Sequence, residues 1–167
     1  MWQIGIDQFV NDMGQRSTKY LNFGEEKSGI IITNSEGPVQ VNFMRLWTAN
    51  DAAARDPASY ELYGTNDPIT SEPNSNSNGT EVWTLISSGP LSLSDTRFTP
   101  SDFIPINASA AYTSYRLIFP TVKDEAAANS MQIADIQFYT VIPEPTTFAL
   151  VALGGLALAA ASRRRRA

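Results

Sequence analysis

Ile133-Ala134-Asp135-Ile136-Gln137-Phe138-Tyr139 alternates apolar and polar side chains, with Ala134, Ile136 and Phe138 on one side of an extended chain and Asp135 and Gln137 on the other. Successive side chains of a strand point to opposite faces, so the run predicts a β-strand with one covered and one wet face. The same period of two recurs in Val39, Val41 and Phe43 with Gln40 and Asn42 opposite, and in Tyr115, Leu117 and Phe119 around Arg116. Strands of this kind belong to an antiparallel sandwich.

Outward from these runs, strands are predicted over Gly29 to Thr33, Val39 to Thr48, Ser59 to Gly64, Val82 to Ser87, Tyr112 to Phe119 and Ile133 to Val141, with weaker ones near Tyr20 and Phe103. Ala52-Ala53-Ala54 and Ala126-Ala127-Ala128 are expected to make single helical turns at most, because each is brief and set among polar residues. Trp47 and Trp83 sit within strand patterns and are expected in the core. Pro68 to Thr80 is rich in Ser and Asn and reads as a long, mobile hairpin loop. About 140 residues suffice for one domain with a real core.

Composition removes much chemistry. The chain has no Cys and no His, so it has no disulfide framework, no thiol nucleophile, no imidazole base and no His or Cys zinc ligand. Adjacent carboxylates such as Glu25-Glu26 and Asp124-Glu125 point apart in a strand and do not make a glycosidase pair. No catalytic residue is assigned, and an enzyme is not expected. Residues 1 to 142 hold eight Lys and Arg against sixteen Asp and Glu, so the body is more acidic than the −5 of the whole chain. Nucleic acid is excluded as a partner by that charge, since phosphate binding needs clustered basic side chains.

The final 25 residues differ in kind: Pro143-Glu144-Pro145, an uncharged apolar stretch over about 146–162, and Arg163-Arg164-Arg165-Arg166. In lipid such a stretch satisfies its own backbone as a helix. Its core, Thr146 to Ala161, would be roughly 24 Å long at 1.5 Å per residue, short of the roughly 30 Å hydrocarbon layer, so the flanking arginines must snorkel. They hold that end on the cytoplasmic side and place the body outside. Gly154-Gly155 offers a small-residue face to another helix.

This three-part arrangement resembles the PEP-CTERM sorting signal. The resemblance implies that a membrane-embedded transpeptidase-like enzyme, exosortase, recognises Pro143, Glu144 and Pro145 and removes the tail. It also implies an inner-membrane anchor before processing and a final place in the cell envelope or extracellular matrix. The opening MWQIGIDQFVNDMGQ carries Asp7 and Asp12 and no basic-then-apolar leader. The expectation is therefore that the N-terminus is truncated.

The body carries a second resemblance. Thr48-Ala49-Asn50-Asp51, Arg55 to Asp67, Trp83-Thr84-Leu85-Ile86, Tyr115 to Phe119 and Ile133 to Tyr139 are similar to the galactose-binding-like jelly roll, in its discoidin or coagulation-factor C-type branch. It implies an all-β jelly-roll sandwich over 1–140, followed by the sorting signal with a single C-terminal transmembrane helix over 141–167. Many members of that class bind glycans through loops at one end and hold a structural calcium. Asp135 matches the position of an acidic calcium ligand, and its partner is sought at Asp7 or Asp12.

Asn50, Asp51, Arg55 and Asp56 form the densest polar cluster in the body. They suit hydrogen bonding to a sugar, with Trp83 or Trp47 as a stacking face. Structurally, Asp51 and Asp56 suit Asx turns, with Arg55 pairing either carboxylate to hold the loop that leads to Pro57, and this structural role is the favoured reading. The expected function is an exported, non-catalytic sandwich that binds extracellular polysaccharide. The alternative is a structural surface protein without its own ligand, and a glycan-active enzyme is a more distant third.

Overall fold

A computed structural model describes residues 2–4, 19–23, 28–71 and 79–141. Among the described residues ten strands follow in order: β1 (Trp2–Ile4), β2 (Tyr20–Asn22), β3 (Ser28–Thr33), β4 (Phe43–Trp47), β5 (Ser59–Thr65), β6 (Thr84–Pro90), β7 (Ile104–Pro105), β8 (Ser114–Phe119), β9 (Met131–Ile133) and β10 (Asp135–Thr140). They form one sheet in the order β1-β10-β4-β7, a second in the order β3-β8-β5-β6, and a ribbon, β2-β9. Every pairing is antiparallel. The expected all-β sandwich is what the chain forms. The apolar tail with its expected helix, Pro143 to Pro145, the arginine cluster, Asp7 and Asp12 lie outside the described residues.

The core lies where the alternation puts it. Tyr115, Leu117 and Phe119 of β8 and Leu62 of β5 face Met44 and Leu46 of β4 and Ile136 and Phe138 of β10, all buried. The ribbon adds Met131 and Ile133, and loop residues Leu91, Leu93, Ile106 and Val122 close the ends. Tyr115 carries the one hydroxyl in this group. It donates to the Val39 carbonyl and accepts the Val41 N–H, so the polar atom is satisfied; burial raises its pKa. Gly29 permits the closest approach of β3 to β8, since a Cβ there would lie 2.1 Å from the Leu117 carbonyl oxygen.

Several strands depart from the pattern for identifiable reasons. Val39 to Thr48 is not one strand. The alternation breaks at Asn42, whose side-chain oxygen accepts the Val141 N–H at 2.7 Å, so Val41 is inward but Phe43 turns outward against Tyr139. The predicted Ile133 to Val141 strand divides at Ala134 into β9 and β10, which join different partners. Its second face is not wet, for Asp135 is only 6% exposed. Strand β6 begins at Thr84, two residues later than predicted. Strand β1 was not anticipated; it adds to the edge of β10, Trp2 opposite Thr140. The alanine runs behave as expected, with a 3₁₀ turn at Ala53–Arg55 and turns at 125–127.

Leu117 is fully buried at the centre of the second sheet. Leu117→Ala is expected to cost about 2–5 kcal/mol, read as a lowered midpoint in urea unfolding at unchanged slope.

Candidate functional site

The polar run after β4 lies at the end of the sandwich where β4 gives way to β5 and β8 to β9. Asp56, in this run, is 0% exposed. A carboxylate removed from water needs a partner, and Arg97 supplies it in bidentate form: Nη1 to Oδ1 at 2.9 Å and Nη2 to Oδ2 at 2.7 Å. The other Arg97 hydrogens go to the carbonyls of Asp51, Ser94 and Asp95. All five donors of one guanidinium are thus committed, and Asp56 raises its pKa. Lys123 lies 3.4 Å from Asp56 and 2.9 Å from Asp95, and its hydrogen bond holds the Asp95 carboxyl below its usual range.

Two further contacts fix the same loop. Gln132, fully buried on β9, donates from its side-chain amide to the carbonyls of Asp51 and Ala52 at 2.6 and 3.0 Å. Lys19 donates to the Gln132 amide oxygen at 2.8 Å and to Asp51 Oδ1 at 2.6 Å, and that bond lowers the Asp51 pKa. Ala52 is thereby held at φ 29°. On the facing loop, Thr48 accepts the Thr99 N–H through its hydroxyl and the Phe98 N–H through its carbonyl.

Phe98 adopts φ 56° and is 39% exposed. A bulky residue in the left-handed region is strained by about 1–3 kcal/mol, which the surrounding bonds must offset. The result is a partly exposed aromatic side chain on a loop that Arg97 ties to the Asp51 carbonyl, at the same end as exposed Asn50 and Asp51.

The expected site residues therefore divide. Asn50 and Asp51 are exposed and Arg55 is half-buried near Asp51. Asp56 is structural, and its partner is Arg97 rather than Arg55. Trp83 does not join them. It precedes Thr84, which pairs with Gly64 at the far end of β5, about 20 Å from the Asp56 end at roughly 3.3 Å per residue. Neither Trp47 nor Trp83 is in the core; each packs on an outer sheet face against an arginine, Arg45 at 5.3 Å and Arg116 at 4.7 Å. Phe98 and Arg97 were not legible as site residues in the turn-rich run Ser94-Asp95-Thr96-Arg97-Phe98-Thr99-Pro100, where the sole signal is a lone aromatic beside a lone cation.

Asp135 sits on the outer face of the first sheet, opposite Trp47. Its Oδ2 accepts the Gln137 amide at 2.9 Å, and the Tyr139 hydroxyl donates to Gln137 in turn. Calcium takes six to eight oxygens, and among the described residues no three acidic, His or Cys side chains come together. Asp7 and Asp12, sought as partners of Asp135 for such an ion, lie outside the described residues.

The base of the 66–83 loop is fastened by Glu81, which accepts hydrogen bonds from the Thr70 and Ser71 amides and both their hydroxyls. Desolvation pushes its pKa up, but these donors outweigh it and hold the pKa at about 2. Asp67 fixes the next residue by accepting the Val82 N–H at 2.8 Å.

Residues 141–166 match the PEP-CTERM protein-sorting motif. The sandwich in turn is similar to solved carbohydrate-binding modules. The CpGH89CBM32-5 module of Clostridium perfringens, in complex with GalNAc-β-1,3-galactose, is 17% identical with a TM-score of 0.53, over 82% of this chain and 87% of that one. The family 32 module of Streptococcus pneumoniae EndoD is 14% identical with a TM-score of 0.53, over 84% and 88%. The family 32 module of C. perfringens NanJ, in complex with galactose, is 13% identical with a TM-score of 0.51, over 78% and 82%. The sorting motif thus follows a sandwich whose fold is similar to that of these modules. No curated protein matches the sequence.

Two outcomes check this account. Arg97→Ala strips the buried Asp56 carboxylate of its bidentate partner and leaves it only Lys123 at 3.4 Å, an expected loss of about 3 kcal/mol in chemical unfolding, whereas Asp51→Ala, at an exposed site, leaves the midpoint nearly unchanged. For Glu81, the folded pKa of about 2 lies below the ordinary 4.5, so its contribution is present above pH 4.5 and is lost as pH falls towards 2. In Glu81→Gln, the fall in melting temperature between those pH values is expected to be shallower than in the parent protein.

Proposed function

We propose that the sandwich is a non-catalytic carbohydrate-binding module of an exported protein, and that it takes polysaccharide at the loop end bearing Asn50, Asp51 and Phe98. The strained, exposed Phe98 ring on a fully tied loop carries this reading. A sugar ring presents an apolar C–H face and a rim of hydroxyls, and this end presents the complements of both. The Phe98 ring covers the C–H face, while the Asn50 amide donates and accepts and the Asp51 carboxylate accepts. Arg97, Gln132, Lys19 and Asp56 hold these groups in place, so little ordering entropy is lost on binding.

The fold shared with family 32 modules supports the ligand class, and two of those relatives hold galactose-containing sugars. The sorting motif supports the route. In this proposal exosortase acts at Pro143-Glu144-Pro145, with the arginine cluster on the cytoplasmic side of the inner membrane, and the module is delivered to the envelope or matrix.

Affinity electrophoresis in gels containing purified matrix polysaccharides tests the reading. The full chain is expected to be retarded. Phe98→Ala is expected to weaken retardation about tenfold through the lost apolar contact, and Asn50→Ala several-fold through lost hydrogen bonds. Free mobility in every polysaccharide gel would instead favour a surface protein without its own ligand.

A further inference from the structure

The outer face of the second sheet carries a cross-strand row of different character. Ile31 of β3 lies opposite Arg116 of β8, Arg116 opposite Tyr63 of β5, and Tyr63 opposite Leu85 of β6. The Arg116 guanidinium carbon stands 4.7 Å from the Tyr63 ring centroid and 4.7 Å from that of Trp83. Leu85 and Val82 flank the stack and are 54% and 75% exposed.

Three arginines show why this stack is unusual. Arg97 commits all five donors to acceptors on its own loops. Arg45 stacks on Trp47 and Phe103 much as Arg116 stacks on its rings, but it gives its Nε–H to the Ser101 carbonyl at 2.7 Å. Arg116 gives none to any described residue. Its Nε and the indole Nε1 of Trp83 are both shielded from water, and no described residue accepts from either. Of the Arg116 nitrogens only Nε is so shielded, so the donors open to an arriving acceptor are its terminal Nη hydrogens.

The carboxylates close enough to influence Arg116 are turned elsewhere. Glu61 accepts the Tyr63 hydroxyl at 2.7 Å, and Glu81 is bonded to Thr70 and Ser71. Both still act on Arg116 through their charge. The patch is therefore rich in donors without being positive. Two fixed carboxylates would repel an anionic ligand, whereas a neutral, oxygen-rich one carries no charge for them to repel.

We infer that this face is a second sugar-binding surface, selective for neutral glycans over acidic ones, with Tyr63, Trp83 and Leu85 as its apolar platform and the Arg116 guanidinium as its donor. It extends the carbohydrate-binding reading of the loop end and rests on it. The two surfaces lie at different places on one rigid domain, so a single polysaccharide can occupy both and gain from the second contact being intramolecular.

The test is a chemical-shift titration of the isotope-labelled full chain with neutral gluco-, galacto- and manno-oligosaccharides and with oligogalacturonate. Expected are shifts of the Trp83 indole and Arg116 Nε–H signals with at least one neutral series and not with oligogalacturonate, weakened about tenfold in Arg116→Gln. Shifts confined to residues 48–56 and 95–98 would overturn this surface and leave the loop-end reading standing. No shift at either place would overturn both. Shifts at Trp83 with oligogalacturonate alone would overturn the selectivity for neutral sugars. Movement of these signals with protein concentration alone would assign the face to a second copy of the chain. Because the parent protein carries the map, the outcome does not depend on the variant folding.

Discussion

A carboxylate that water cannot reach organises one whole end of this domain. Asp56 has to be paired, and the cation that pairs it also reaches the carbonyls of Asp51, Ser94 and Asp95. One electrostatic obligation thereby joins the loop after β4 to the loop after β6, and Lys123 brings in the loop after β8. The three loops behave as one body. Only such a body can hold Phe98 at a left-handed φ with its ring towards solvent. Exposure and rigidity, which oppose each other in most loops, coexist here because the rigidity is generated underneath.

The fold was largely legible in the sequence because one covered face imposes a period of two that local composition cannot hide. Tyr115, Leu117 and Phe119 on one strand and Ile136 and Phe138 on another announce their side before any partner is known. The failures share one cause, which is that the deciding contact is remote in sequence. Asn42 breaks the alternation because Val141, 99 residues away, needs its side-chain oxygen. Asp56 chooses Arg97 over its neighbour Arg55 because the guanidinium 41 residues away has carbonyls arranged around it. Three residues of β1 are too few to show a period at all.

The candidate site was legible by residue type and not by place. The polar cluster at 50–56 was correctly seen as dense, but sequence could not divide its exposed members from the carboxylate beneath them. Trp83 was grouped with that cluster on chemistry alone, whereas strand register sends it to the opposite end and onto an outer face. Its companions there, Tyr63 and Arg116, come from strands that the sequence marked correctly, yet their outward positions looked like ordinary surface. Alternation says which residues point away from the core and nothing about which of them meet.

The course of β10 gives the domain a direction. This strand starts at Asp135, opposite Trp47 at the loop end, and finishes at Thr140 on the far side. The sorting motif begins at the next residue. The loops bearing Asn50 and Phe98 thus lie at the end of this sheet away from that residue, about 20 Å off, the length of a six-residue strand. In the function proposed above, the loop-end sugar surface is thereby carried away from the point of attachment, with the sandwich as the spacer between them.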